Sequence, residues 1–152
     1  MPEKPASVAA LLLAHRQIAI DSNVLIYLLE GSGPRAEVGA SLVDAVARRE
    51  VEGVLASVAI SEVLLPAARA ADGVGFEELA ATIRDLGFRI VALDAAVAED
   101  VAWIRGRSGI PMADAIHLAC ARSGGATAFV TNDRRMPGLP RLELVLLDDL
   151  VA

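Results

Sequence analysis

The amino-acid sequence predicts an α/β fold: three α/β/α layers with a central, mainly parallel sheet. Two observations carry that expectation. Short β-type runs alternate with longer helical ones, the pattern of βαβ units whose sheet is covered on both faces. In addition, 55% of the 152 residues are hydrophobic and only 3% aromatic, which supplies one ordinary core of aliphatic side chains and argues for one domain.

Residues 17–21 (QIAID) read as a buried first strand, followed by a helical stretch over 24–30 and a break at 31–34 (GSGP). Val38, Leu42, Val43 and Val46 have helical spacing within 37–50, and 53–58 (GVLASV) reads as a second strand. Residues 59–71 are apolar enough for a buried helix, which Pro66 is expected to kink or to end early. A helix over 76–86 closes at Gly87, and 88–93 (FRIVAL) is the third strand. Val97, Val101 and Ile104 share one face of a helix over 95–107. The next helix is expected to start at Pro111 and to stop before Gly124 and Gly125. Residues 127–131 (TAFVT) and 144–147 (LVLL) complete the strands. This divides the chain into an N-terminal extension over 1–16 and a single domain over 17–152.

Composition excludes several classes of function. A membrane span needs about 18 unbroken apolar residues, whereas the longest run, 8–14, has seven. Glu3 and two prolines ahead of that run spoil the basic leader of a secretory signal. The single cysteine, Cys120, cannot form an internal disulfide or a thiolate zinc cage, so a reducing cytoplasm fits best and Cys120 is read as packing. Lys4 is the only lysine, which argues against chemistry that needs an active-site ammonium. The net charge of −6 argues at first against a polyanionic partner, but six arginines stand against two acids between residues 101 and 141.

The acids that need explaining sit at the edges of apolar elements. Asp21 ends the first strand, and Asp133 lies two residues after Thr131, at the end of another; in a parallel sheet both fall on the carboxyl rim, where ligands bind. Glu62 interrupts one apolar run (VAISEVLLP) and Asp114 another (IPMADAIHLAC). A lone charge buried there is expensive. Taken singly, Asp21 has a reading as a helix cap, Asp114 as a partner of first-turn amides, Glu62 as an ion-pair partner and Asp133 as an Asx turn. Taken jointly, four converging acids repel one another unless a cation holds them. The donors are hard oxygens, which suits Mg²⁺ or Mn²⁺ rather than zinc. Such an ion makes a water more acidic, positions it for attack on phosphorus and offsets charge on the transferring group, so the chemistry indicated is phosphodiester hydrolysis.

Four segments, IAIDSNVLIYLLEG at 18–31, SVAISEVLL at 57–65, LDAAVAEDVAWIRGRSGIPMADAIHLACARSGG at 93–125 and FVTNDRRM at 129–136, resemble those of PIN domains. Among these they are most similar to the VapC toxins of toxin–antitoxin modules. The resemblance implies a parallel sheet between helices and an endoribonuclease that cuts structured RNA such as transfer or ribosomal RNA. It also implies homodimerisation and inhibition by a cognate antitoxin whose tail enters the acidic site. By it, Asp21, Glu62, Asp114 and Asp133 match the family's four acids, the first and third contacting the metal most directly. Asn23 and Thr131 match polar positions that brace the cluster, and Asn132 does so less closely. The 16 residues before the first motif and the net acidity depart from the usual VapC pattern.

Other residues carry weaker signals. His117 lies three residues after Asp114, on the same helical side, as a ligand, a base or more simply a carboxylate partner. Arg134 and Arg135 are candidates to grip substrate phosphate or are solvated loop charges. Trp103 is read as a core or dimer contact ahead of base stacking, and His15 is given no role. Three rival functions stand beside the ribonuclease. Phosphoryl transfer through an aspartyl intermediate lacks a second Asp two positions after Asp21 and a nearby lysine. A non-catalytic binding module leaves four acids idle. DNA cleavage would use the same acid cluster.

Overall fold

The computed structural model describes residues 3–151. Its elements run α1 (Val8–Ala14), β1 (Gln17–Ile20), α2 (Ser22–Glu30), α3 (Pro34–Ala47), β2 (Glu52–Ala56), α4 (Ser57–Arg69) and α5 (Gly73–Asp85). They continue with β3 (Arg89–Val91), α6 (Ala95–Ser108), α7 (Met112–Ser123), β4 (Ala128–Thr131), β5 (Glu143–Leu146) and a closing 3₁₀ turn over Leu147–Leu150. The five strands are all parallel in the order β3-β2-β1-β4-β5, so the α/β sandwich expected from the alternating pattern is the fold observed.

The layers follow from the period of two along each strand. Ile18, Ile20, Leu55, Ala128 and Val130 point into one core, shared with α1 through α5. Ala19, Val54, Ala56 and Phe129 point into the other, shared with α6 and α7. Strand order explains why the helices divide in this way. The chain steps from β1 to β2 to β3 in one direction, then returns across the sheet to β4. Right-handed crossovers place helices of opposite stepping direction on opposite faces. The link from β4 to β5 steps the same way as that return, and its Met136, Leu139 and Leu142 accordingly pack in the second core. Stepping direction reverses between β1 and β4, which opens a crevice at their carboxyl ends.

Several boundaries differ from those read in the sequence, each for a local reason. Asp21 is not the last strand residue but the N-cap of α2, its side chain accepting from the Ser22 amide at 2.7 Å. The second strand stops at Ala56, and α4 begins at once with Ser57. Pro66 does not end that helix early; α4 continues to Arg69, and the missing proline N–H leaves the Glu62 carbonyl without its helical donor. Helix α3 starts at Pro34, which suits a first helical position, rather than at residue 37. Pro111 is the N-cap of α7, whose first residue is Met112. Asp72 caps α5 by accepting from the Gly75 amide, moving its start to Gly73.

The N-terminal segment is tied to the sheet. Leu11 on α1 is fully buried in the first core, and His15, given no role in the sequence reading, bridges Thr127 Oγ1 at 2.7 Å and Glu143 at 2.8 Å. Trp103, expected as a contact residue, is 66% exposed on α6, with the Arg107 guanidinium 5.7 Å from its ring centroid. Cys120 is fully buried, and burial pushes its thiol up to about 11. Among the described residues no helix is long and apolar enough to cross a membrane.

Candidate active site

Among the described residues four polar side chains are buried: Asp21, Ser22, His117 and Thr131. All four converge on the crevice at the carboxyl ends of β1 and β4. Burial of polar groups costs free energy unless each is partnered, and the partners here are mostly one another.

Asp21 stands at the centre. The Asp21 amide donates to the Val130 carbonyl at 2.9 Å, which locks the end of β1 against β4. Thr131 Oγ1 donates to Asp21 Oδ2 at 2.7 Å, and the Ser22 amide holds Oδ1. Asn23 Nδ2 lies 3.4 Å from Asp21 Oδ2 and 3.3 Å from Thr131 Oγ1. The Asp133 amide in turn donates to Thr131 Oγ1 at 3.0 Å, so one hydroxyl orients two acids.

The remaining acids arrive from both faces of the sheet. Glu62 is on the second turn of α4 and Asp114 on the first turn of α7. Burial holds the Asp114 carboxyl above its usual range, and repulsion by Asp133 and Asp21 adds to the effect. Those three carboxylates therefore share one acidic field. Glu62 joins them through His117, whose Nε2 donates to Glu62 Oε1 at 2.5 Å and lies 3.6 Å from Asp21 Oδ1. Burial works to strip the proton from His117, but the hydrogen bond to Glu62 and the nearby Asp21 and Asp114 charges outweigh it, so the imidazole titrates above its ordinary value. The sequence put His117 on the correct helical side of Asp114; that it couples α7 to α4 across the sheet edge was not readable from spacing.

The two arginines after the cluster differ. Arg135 holds Asp133 through its guanidinium and its amide, and these bonds pull the Asp133 carboxyl below its usual range. Arg134 is exposed, and its charge contributes slightly to holding the Asp148 carboxyl below its usual range. The wider arginine-rich stretch is less available than its count implies. Arg122 is paired with Asp100, Arg105 donates to the Ile110 carbonyl, and Arg107 lies over Trp103.

The donor set fits a divalent cation in chemistry and charge. Its oxygens are hard, the acids repel one another, and the buried Asn23 Oδ1 has no hydrogen-bond partner. Among the described residues, however, no three His, Cys, Asp or Glu side chains already stand as a coordination set. The acids are gathered but not closed around a point.

The PIN domain family model matches residues 18–142, a span that includes all four acids. The chain belongs to the PIN domain family. PIN domains are in general nucleases that depend on divalent metal ions. Solved structures share the fold. A toxin–antitoxin complex from Klebsiella pneumoniae is 19% identical, with 82% of this chain and 94% of that chain covered at a TM-score of 0.62. VapBC2 from Rickettsia felis, solved bound to a DNA fragment from its promoter, is 14% identical, with 86% and 98% covered at 0.64. FitAcB from Neisseria gonorrhoeae is 23% identical, with 76% and 87% covered at 0.59. No significant match was found among curated proteins. This PIN domain resembles the VapC toxins of toxin–antitoxin modules, as its motifs led one to expect.

Proposed function

We propose that this PIN domain is a Mg²⁺- or Mn²⁺-dependent endoribonuclease, the toxin of a toxin–antitoxin pair, with its nuclease domain over 17–152. The observation that carries the reading is the coincidence of the buried polar side chains with the acidic cluster at the switch point between β1 and β4. Structural polarity alone gives no reason to gather repelling carboxylates there.

Asp21 and Asp114 are the residues proposed to hold the ion most directly, with Asp133 and Glu62 completing the acidic field. A divalent cation in that field supplies Lewis-acid activation of water and charge compensation on phosphorus. The chain's own groups prepare the site. Thr131 and the Ser22 amide fix the two oxygens of Asp21 and so set which lone pairs face the crevice. Asn23 braces Thr131 and Asp21 together. His117 holds Glu62 near Asp21. Arg134 and Arg135 are the cations nearest the cluster in sequence and are proposed to meet the RNA phosphates.

An antitoxin partner is proposed from the likeness to the Klebsiella toxin–antitoxin complex and to the Rickettsia VapBC2 structure, and homodimerisation from the VapC resemblance. Transfer or ribosomal RNA is the proposed target. The test is cleavage of labelled transfer RNA, ribosomal RNA and single-stranded DNA by the full chain with Mn²⁺ or with EDTA. RNA is expected to be cut only with metal, and Asp21→Asn or Asp114→Asn is expected to slow cleavage by roughly two to four orders of magnitude. Cleavage that survives EDTA or either substitution contradicts the proposal, and preferential cutting of DNA contradicts its substrate.

A further inference from the structure

Asp133 differs from the other acids in carrying a guanidinium, where Glu62 has the His117 imidazole. Arg135 Nε donates to Asp133 Oδ1 at 3.1 Å, Nη2 donates to Oδ2 at 3.2 Å, and the Arg135 amide donates to Oδ1 at 2.9 Å. Oδ1 therefore has both lone pairs engaged and Oδ2 one of its two. A dication on that carboxylate would face a guanidinium across the same group. The Asp133 carboxylate, with a smaller contribution from Asp114, favours the charged form of Arg135. The two side chains differ in exposure: Asp133 is 20% exposed, whereas Arg135 is 84% exposed.

We propose that Arg135 and the divalent ion compete for Asp133, and that entry of the ion releases the Arg135 guanidinium to the substrate phosphate. The inference rests on the metal-dependent nuclease reading above and goes beyond it by assigning one residue two successive partners. The planar fork that matches a carboxylate also matches two phosphate oxygens, so the exchange keeps the arginine's hydrogen bonds while Asp133 changes counter-ion. Arg134 supplies the internal control. It carries the same charge one residue away, whereas the guanidinium bound to Asp133 is that of Arg135.

The experiment compares the full-length wild type with Arg135→Ala and Arg134→Ala. Mn²⁺ binding is measured by calorimetry without RNA, and binding of an end-labelled phosphorothioate RNA that resists cleavage is measured with Mn²⁺ present. Because the ion pair is exposed, Arg135→Ala is expected to bind Mn²⁺ roughly two- to fivefold more tightly while binding RNA more weakly. Arg134→Ala is expected to leave Mn²⁺ affinity unchanged. A misfolded variant does not gain metal affinity, so the opposite signs exclude simple damage. Equal Mn²⁺ affinity of wild type and Arg135→Ala overturns the competition, as does equal tightening in Arg134→Ala. RNA affinity unaltered by Arg135→Ala overturns the exchange. Absence of Mn²⁺ binding in every protein, by contrast, removes the nuclease reading itself and this inference with it.

Discussion

Asp114 stands where burial and neighbouring charge both work against its ionised form. Its carboxyl is partly buried on the first turn of α7 and is repelled by Asp133 and Asp21, so its charged form is disfavoured in the metal-free fold. Asp114→Asn is therefore expected to melt at a slightly higher temperature than wild type in EDTA at neutral pH. Adding Mn²⁺ is expected to reverse the order, raising the wild-type midpoint and leaving the variant's nearly unmoved. Differential scanning fluorimetry with and without Mn²⁺ checks both halves. At this scale the four acids were legible in the sequence because each interrupts an apolar run or follows a strand, where an idle charge is costly. The hydrogen bonds of Asp21 to Thr131, of Glu62 to His117 and of Asp133 to Arg135 were not legible. The first two depend on which elements become neighbours in space, and the third on a side-chain rotamer.

At the scale of elements, the loop that carries Asp133 is braced from behind by the chain's last turn. Arg35, at the start of α3, holds Asp148 through Nε at 2.8 Å and Nη2 at 3.0 Å and lies 5.0 Å from the Tyr27 ring centroid. The Asp148 amide donates to Asn132 Oδ1 at 3.3 Å, next to Asp133. The hydrogen bond from Arg35 holds the Asp148 carboxyl below its usual range. A lowered folded value means that this pairing stabilises the protein above the ordinary aspartate range and is lost as the pH falls through the folded value. Asp148→Asn is thus expected to lower the midpoint of thermal unfolding slightly at pH 7, with the gap to wild type closing in acid. A gap that persists unchanged at pH 2 to 3 contradicts the assignment. Strand and helix identities were readable from apolar periodicity along the chain. Boundaries were less so, because Asp21, Ala56 and Pro111 act as caps, and because α4 carries Pro66 inside it at the cost of one backbone hydrogen bond.

At the scale of the whole molecule, sheet order does the assembling. Reversal of stepping direction between β1 and β4 brings residues 21 and 133 to one crevice, while α4 and α7, on opposite faces, bring residues 62 and 114 to the same rim. The sequence predicted a parallel sheet and a carboxyl rim, but strand order depends on long-range pairing that no local pattern encodes. Net acidity and arginine count are poorer guides, since much of the basic stretch is engaged with Asp100, the Ile110 carbonyl and Trp103. The central claim is that acids distant along the chain share one divalent ion. Anomalous diffraction from a crystal of the protein grown with Mn²⁺ tests it most directly. A manganese peak coordinated by Asp21 and Asp114, with Asp133 or Glu62 close by, is the expected result. Manganese bound elsewhere on the surface, with the crevice empty at saturating metal, would contradict it.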